Sequence, residues 1–528
     1  MSIRSDPLSA PRIVTEPLGG SALARAVVAG ALGADVAPPL PRAVDAWRRR
    51  IGEVQAGGSP SWLDALRGAF GGHGGAIARL ERTVAAGGVV VTTGQQAGLF
   101  GGPIYTWSKA VGALALADAL ERETGVPVAP IFWAATDDAD FTEADHTTIL
   151  VDGAARTLRT GRAPAPGTPM SAAALGDVSP LLHELRAACG SMAYAHAWHA
   201  VEAAYTGGSV GGAYVTLLRA LLEPLGIAVL DSSHREVRAA GHRLLRLALE
   251  RAAQVEAALE ARHAWLSGAG FDAQVADVAG LSTVFVHEDG IKRRVPVKES
   301  ARLAKAAESS ALSPNVLLRP VMERAILPTV AYVAGPGELA YFAQVSAVAG
   351  ALDAPQPLAV PRWSCTVVEP AVDRALARLG VGLDDMADAT AIEGRVARAE
   401  VPVDVRAALE QLRASLTTGL DVFHAAERAS DGGPLLADTV VDGTGRQIAF
   451  RLDRMERRLV AAAKRRGSDA LRDLALARAS LWPEGHRQER TLNFIPLLAR
   501  YGPDLWTQMR EAAGVHAASL IAGTPREA

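Results

Sequence analysis

The run Val89-Val90-Val91 is wholly apolar and β-branched, and the pattern predicts a strand over Val89–Thr93. "GQQAGLFGG" follows at Gly94–Gly102, then a helix from about Pro103 to Glu123, with Pro103 at a favoured first-turn position. A second apolar run ends in a strand near Ile131–Ala135, so strand, helix and strand form a unit that implies a parallel sheet. "GIAVLDSS" at 226–233 and "PQPLAVPRWS" read as further strands, and "AILPTVAYVAGPGELAYFAQVSAVAGAL" repeats the strand, glycine turn and helix. Residues 235–265 read as helical, and "STVFVHEDGIKRRVPV" alternates around Asp289-Gly290, a hairpin signal. Residues 1–85 carry apolar positions three and four apart, as in helices, and 151–180 reads as an excursion rich in Gly, Pro, Ala and Thr. The parallel sheet is thus interrupted twice by insertions.

Strand signals fade beyond Glu369. Val405, Leu409, Leu412, Leu416, Leu420 and Phe423 follow helical spacing, and "SDGGPLLADTVVDGTG" reads as a loop before a second helix at about 447–479. Two long helices joined by a loop form an antiparallel coiled-coil hairpin. Its apolar stripe needs a partner beyond the hairpin, which predicts a homodimer through this domain. The tail around "PEGHRQERTLNFIPLLARYGPDLWTQM" reads as less regular and richer in polar and aromatic residues.

Composition changes this picture little. The 528 residues are 49% apolar and 21% charged with a net charge of −3, which gives no reason to expect nucleic acid or an anionic membrane as partner. The first twenty residues lack a continuous apolar segment, no stretch reaches the length of a spanning helix, and Cys189 and Cys365 are the only cysteines. A reducing cytoplasm is the expected setting. Cys365 reads as a buried structural thiol, and Cys189 has no catalytic neighbour.

The chemistry gathers at predicted strand ends, where open parallel sheets hold ligands. Gly94–Gly102 lacks the Lys-Ser/Thr of a phosphate loop, and its spacing is not GxGxxG, so a tight turn is one reading. Gln95 and Gln96 can each donate and accept hydrogen bonds, and a helix start beside them favours anions. These make Gly94, Gln95, Gln96 and Gly98 candidate binding residues. "ATDDADFTEADH" holds Asp137, Asp138, Asp140, Glu143, Asp145 and His146. Acids suit a helix start, but Asp137 and Asp138 at a strand end are also suited to bind an amine or Mg²⁺, or to act as general base. The catalytic candidates are Asp137, Asp138 and His146; the spacing matches no zinc or EF-hand pattern, so no metal set is assigned. In "GPGELAYFAQ", Gly335 and Gly337 permit close ligand approach, and Glu338, Tyr341 and Gln344 share roughly one helix face. Tyr105, Lys109 and Arg362 complete the binding candidates, the two cations being placed to meet a phosphate or carboxylate.

At "TTGQQAGLFGGPIYTWSKA", "PIFWAATDDADFTEADH" and "YVAGPGELAYFAQ" the chain resembles the cysteine ligase family of bacillithiol biosynthesis, BshC. "SPNVLLRPVMERAILPTVAYVAGPGE" and "PEGHRQERTLNFIPLLARYG" extend the resemblance, which runs from about 85 to about 510. It implies an α/β fold: a Rossmann-like parallel-sheet core with two inserted connecting segments, plus an all-helical coiled-coil domain that forms a homodimer. The segments are then 1–85, N-terminal helices; 86–150, first part of the core; 151–225, first insertion; 226–234, a core strand; 235–320, second insertion; 321–370, second part of the core; 371–480, the coiled coil; and 481–528, a tail packing on the core. It further implies addition of cysteine to glucosaminyl malate, with Gln95, Gln96 and the glycines on an anionic substrate and Asp137 or Asp138 on an amino group. Architecture similar to class I aminoacyl-tRNA synthetases is implied too, yet Gly94–Pro103 contains no His and the chain has no Lys-Met-Ser-Lys. No cofactor is legible. ATP is chemically sensible, because a carboxylate must be activated before an amine attacks. A non-catalytic nucleotide or metabolite sensor using the same sheet edge, and a scaffold whose coiled coil is the working part, are the alternative classes.

Overall fold

The computed structural model of the chain describes residues 10–71, 74–161, 163–276, 278–306, 308, 311–465 and 469–524. They divide into two compact units. The first takes in the chain up to Val151, Ala155–Val367 and the residues from Arg487 on, and the second takes in Asp152–Ala154 and Val368–His486.

The strands are β1 Arg12–Thr15, β2 Val89–Gln96, β3 Val128–Ala135, β4 His146–Val151, β5 Ala154–Arg159, β6 Ala228–Asp231, β7 Leu281–Glu288, β8 Ile291–Pro296, β9 Leu312–Pro314, β10 Thr329–Ala334, β11 Ala359–Pro361 and β12 Cys365–Val368. The first unit is built on a five-stranded parallel sheet in the order β11-β10-β2-β3-β6. Chain order reverses between β2 and β10, which is the Rossmann-like arrangement with its switch point there. Alternate residues feed two cores, Val89 and Val91 on one face and Val90 on the other, as a sheet covered on both sides requires.

The first crossover helix, Ile104–Thr124, is buried nearly all round. Its many small residues let it sit between the sheet and the long helix Ile495–Ala522. The tail read as irregular is therefore mostly this helix, broken at Gly502 (φ 55°, ψ −135°) before Pro503. Its aromatic residues are core: Trp107 stacks on Phe494 at 5.4 Å and meets Trp506 at 6.1 Å.

Other expectations need correcting. β2 runs to Gln96 rather than Thr93, because pairing with β3 continues through Gly94↔Trp133 to Gln96↔Ala135. The N-terminal region is not all helix, since β1 pairs with the distant β12. The excursion after 151 includes the end of a β4–β5 hairpin. Its turn, Asp152 (φ 50°) and Gly153 (φ 74°), matches that of the predicted hairpin at Asp289 (φ 51°) and Gly290 (φ 80°).

In the second unit the helices Val403–Arg428 and Asp438–Arg465 pack antiparallel, with Arg413 on Asp453 at 2.9 Å and Arg428 on Asp438 at 2.6 Å. The second helix begins inside the expected loop. Gly443 and Gly445 lie inside this helix, and a Cβ on Gly445 would lie 3.1 Å from Leu420, so close packing of the helices accounts for that glycine. The helix expected over 447–479 falls, among the described residues, on Asp438–Arg465 and Asp469–Leu481. Of the predicted stripe, Leu409 is buried, while Val405, Leu412, Leu416 and Phe423 are exposed. No helix among the described residues is long and apolar enough to cross a membrane.

Candidate functional site

A cavity of about 620 Å³ opens across the carboxyl ends of β2, β3 and β10. Its floor is the switch point. Lys109, from the first crossover helix, is 1% exposed, and its Nζ donates to the Gly94 carbonyl at 2.6 Å and to Glu338 Oε2 at 2.7 Å. Glu338 also accepts from Tyr332 Oη at 2.6 Å and from the Gly335 amide at 2.6 Å. Burial pushes the Glu338 carboxyl up, but the Lys109 charge and these hydrogen bonds outweigh it and hold the group below the ordinary carboxylate range. A charged pair thus ties β2 to the helix Pro336–Ala351 across the switch point.

Asp137 and Asp138 follow β3 and both line the cavity, in different states. Asp137 Oδ1 takes Arg238 Nη2 at 2.7 Å and has His287 at 3.5 Å; Oδ2 takes Lys292 Nζ at 2.9 Å. Lys292 also donates to the Asp137 carbonyl at 2.6 Å. Burial opposes ionisation, yet Lys292, Arg238 and His287 hold the Asp137 carboxyl below its usual range. Burial also lowers the His287 imidazole to about 4, Asp137 resisting and the two cations assisting. Asp138 instead accepts from Gln96 Nε2 and from the Ala139 amide, with no cation bridged to it among the described residues. Glu143 lines the same side, its carboxyl pushed up by burial and by Asp140 and Asp138. The reading of either aspartate as an ammonium partner therefore fits Asp138 and not Asp137, whose charge is already met by cations.

Gln95 lies on the cavity wall, donating to Tyr105 Oη at 2.9 Å and accepting from Lys109 at 3.3 Å. Burial pushes the Tyr105 phenol up to about 12, and Glu143 adds to it. Gly94, Gln96, Gly335, Gly337 and Tyr341 also line the cavity. Arg362 does too, but its guanidinium forks onto Glu489 at 2.8 and 2.6 Å, so its charge is met within the protein.

Three predicted residues lie elsewhere. Gly98 faces its own turn, where a Cβ would meet Gly102 Cα at 2.7 Å. His146 begins β4 and bonds Asp145 at 2.6 Å, outside the cavity wall. Gln344 is buried and grips the Val275 backbone, accepting from its amide at 3.0 Å and donating to its carbonyl at 2.8 Å. It holds a loop of the cavity wall and does not face the cavity itself. The glycine turn is no anion cradle either. Asn493 Nδ2 donates to the Phe100 carbonyl at 3.0 Å and sits 3.3 Å from the Gly102 carbonyl, while the helix amide of Ile104 donates to Leu492 O at 3.0 Å.

Arg238, Lys292, Arg294, Arg319 and Arg490 line the cavity without having been foreseen. Arg319 pairs with buried Glu323 at 2.7 Å and lies 4.9 Å from the Tyr332 ring. Lys292 and Arg294 alternate on β8, a signal for a shared strand face that could have marked them. Among the described residues no group of three His, Cys, Asp or Glu is placed to hold a metal ion.

The family model described as "Bacillithiol biosynthesis BshC, N-terminal Rossmann-like domain" matches residues 68–363, and "Bacillithiol biosynthesis BshC, C-terminal coiled-coil domain" matches 365–518. A Solibacter usitatus protein named "Putative cysteine ligase BshC" is 33% identical over 440 residues, 81% of this chain and 82% of that one. Proteins of the same name from Koribacter versatilis (31% over 473 residues, 86% and 87%) and Geobacillus kaustophilus (27% over 560 residues, 96% and 96%) are also similar.

Proposed function

The chain belongs to the BshC family of bacillithiol biosynthesis, and on that premise we propose that it is a ligase joining cysteine to glucosaminyl malate through an amide bond. The observation that carries the reading is the cavity at the switch point, with room for both substrates and charges of both signs on its wall. Each substrate brings both kinds of group, cysteine a carboxylate and an ammonium, glucosaminyl malate its malyl carboxylates and the sugar amine. Amide formation joins the cysteine carboxyl carbon to the sugar nitrogen, breaks one C–O bond of the carboxylate and takes two protons from the sugar ammonium, together the elements of water. Asp138, without a bridged cation, is the proposed ammonium partner. Glu143, on the cavity wall with Asp138 and Asp140 acting on its carboxyl, is the proposed acceptor of one of the amine's protons.

ATP is the proposed activating reagent on chemical grounds. The turn Gly98–Gly102 does not fit a nucleotide's phosphates, because the amides of Gly101 and Gly102 donate within the turn and Leu492 takes the first helix amide. No step is assigned to ATP at that turn. The exposed stripe of the second unit is the proposed dimer surface, and the cytoplasm the proposed setting. Pure protein incubated with cysteine, glucosaminyl malate and ATP should give, by mass spectrometry, a product equal to the two substrates less water. Folded protein that forms none would overturn the reading.

A further inference from the structure

Asp137 is a hub. Its carboxylate oxygens and carbonyl receive Arg238 at 2.7 Å and Lys292 at 2.9 and 2.6 Å, with His287 beside them at 3.5 Å and the Ser232 hydroxyl 3.3 Å from its amide. A substrate ammonium would have to displace nitrogens already in place. The opposite charge fits better. An ammonium carries three donors, and Lys292 directs two of its contacts at Asp137. That leaves one donor for a ligand in the cavity that Lys292 lines. Its side chain is 6% exposed and its Nζ lies 4.8 Å from the Phe285 ring, so the head group is fixed and largely shielded from water. Charge-assisted contacts are strongest in such settings.

We propose that Lys292 binds a carboxylate of the acceptor substrate, and that Asp137 is the positioning residue that aims it. This rests on the ligase reading for the ligand's identity. A carboxylate fits better than a nucleotide phosphate, because phosphate sites are built from cradles of free amides, and in the glycine turn of this sheet the amides of Gly101, Gly102 and Ile104 already donate to the Gly98, Leu99 and Leu492 carbonyls. β8 belongs to an insertion between core strands, so the core supplies the floor and the insertion supplies the residue that selects the acid.

The test is K292M, which keeps the buried apolar stem, with K292Q as a second variant and D137N as the positioning variant, each first checked for an unchanged melting temperature. K292M should raise KM for glucosaminyl malate about tenfold or more while KM for cysteine and ATP stay near the parent values. D137N should do the same more weakly, since it removes only the aim. Calorimetric titration of glucosaminyl malate and of glucosamine lacking the malyl group provides an arm independent of turnover. The parent should bind the malyl compound far more tightly, and K292M should lose that preference. A parent without turnover whose malyl preference is lost in K292M would sink the ligase reading and keep this site. A raised KM for cysteine or ATP alone, equal loss across all substrates, or an unchanged malyl preference would each overturn it.

Discussion

Two junctions of the core have one design and opposite fates. β2 leads through Ala97–Gly102 to the helix Ile104–Thr124, and β10 leads through Gly335–Gly337 to the helix Pro336–Ala351. Both are strand, glycines and helix at the switch point. In the first, Asn493 plugs the carbonyls and Leu99 and Phe100 are buried, so the glycines past Gly98 serve the turn itself, with Gly101 and Gly102 at φ 84° and 73°. In the second, Gly335, Gly337 and Glu338 line the cavity. Glycine content does not tell a closed junction from an open one. What packs against the backbone decides it, and here a segment almost four hundred residues downstream closes one of the two.

The largest effect expected is at the open junction's charged pair. Glu338→Gln leaves Lys109 buried without its counter-charge and should cost on the order of 3 kcal/mol in urea unfolding. The double variant with Lys109→Met should regain much of that loss, since it removes the stranded charge. Acid should reveal the same pair. The folded carboxyl stays ionised below 4.5, its ordinary value, so its contribution is complete above that pH and is lost as pH falls through the folded value. The deficit of Glu338→Gln against the parent should therefore shrink only below about pH 4.5. A deficit that vanished near neutrality would contradict the pairing.

The closed junction should respond less and without pH dependence of its own. Asn493→Leu strands the carbonyls it now serves and should cost about 1–3 kcal/mol. Gly98→Ala should also lower the melting temperature, because its Cβ would lie 2.7 Å from Gly102 Cα. Unchanged stability in both would mean that the turn is not packed as described. The smallest stability effect belongs to Gly337→Ala, and its sign should split the two junctions. Gly337 is in the first turn of its helix, with Gln274 Nε2 as nearest neighbour to a Cβ at 3.8 Å. Alanine should leave the melting temperature level or slightly raised while weakening substrate binding. Weaker binding together with a large loss of stability would refute an open junction.

The parallel sheet was legible because its strands are short apolar runs bounded by glycine, and their carboxyl ends marked where chemistry would collect. Gln95, Lys109, Asp138 and Glu338 reached the cavity by that rule alone. That Asp137 would be met by cations was not legible, since Arg238 and Lys292 stand 101 and 155 residues away in insertions. Gln344 failed for a similar reason: helix spacing gives a face, but not that Val275 would occupy the end of it. His146 was drawn in by its acidic neighbours, and a β4 start places it outside the cavity wall. The tail's polar and aromatic mixture hid a long helix because its aromatic residues pack into another helix rather than along a periodic stripe.

Hydrogen–deuterium exchange with and without glucosaminyl malate tests the central claim most directly, because one experiment reads both junctions. Slower exchange in peptides covering 335–340 and 291–296, with no change over 98–104, is the predicted result. Protection over 98–104 with none at 335–340 would contradict the assignment of the open and closed junctions.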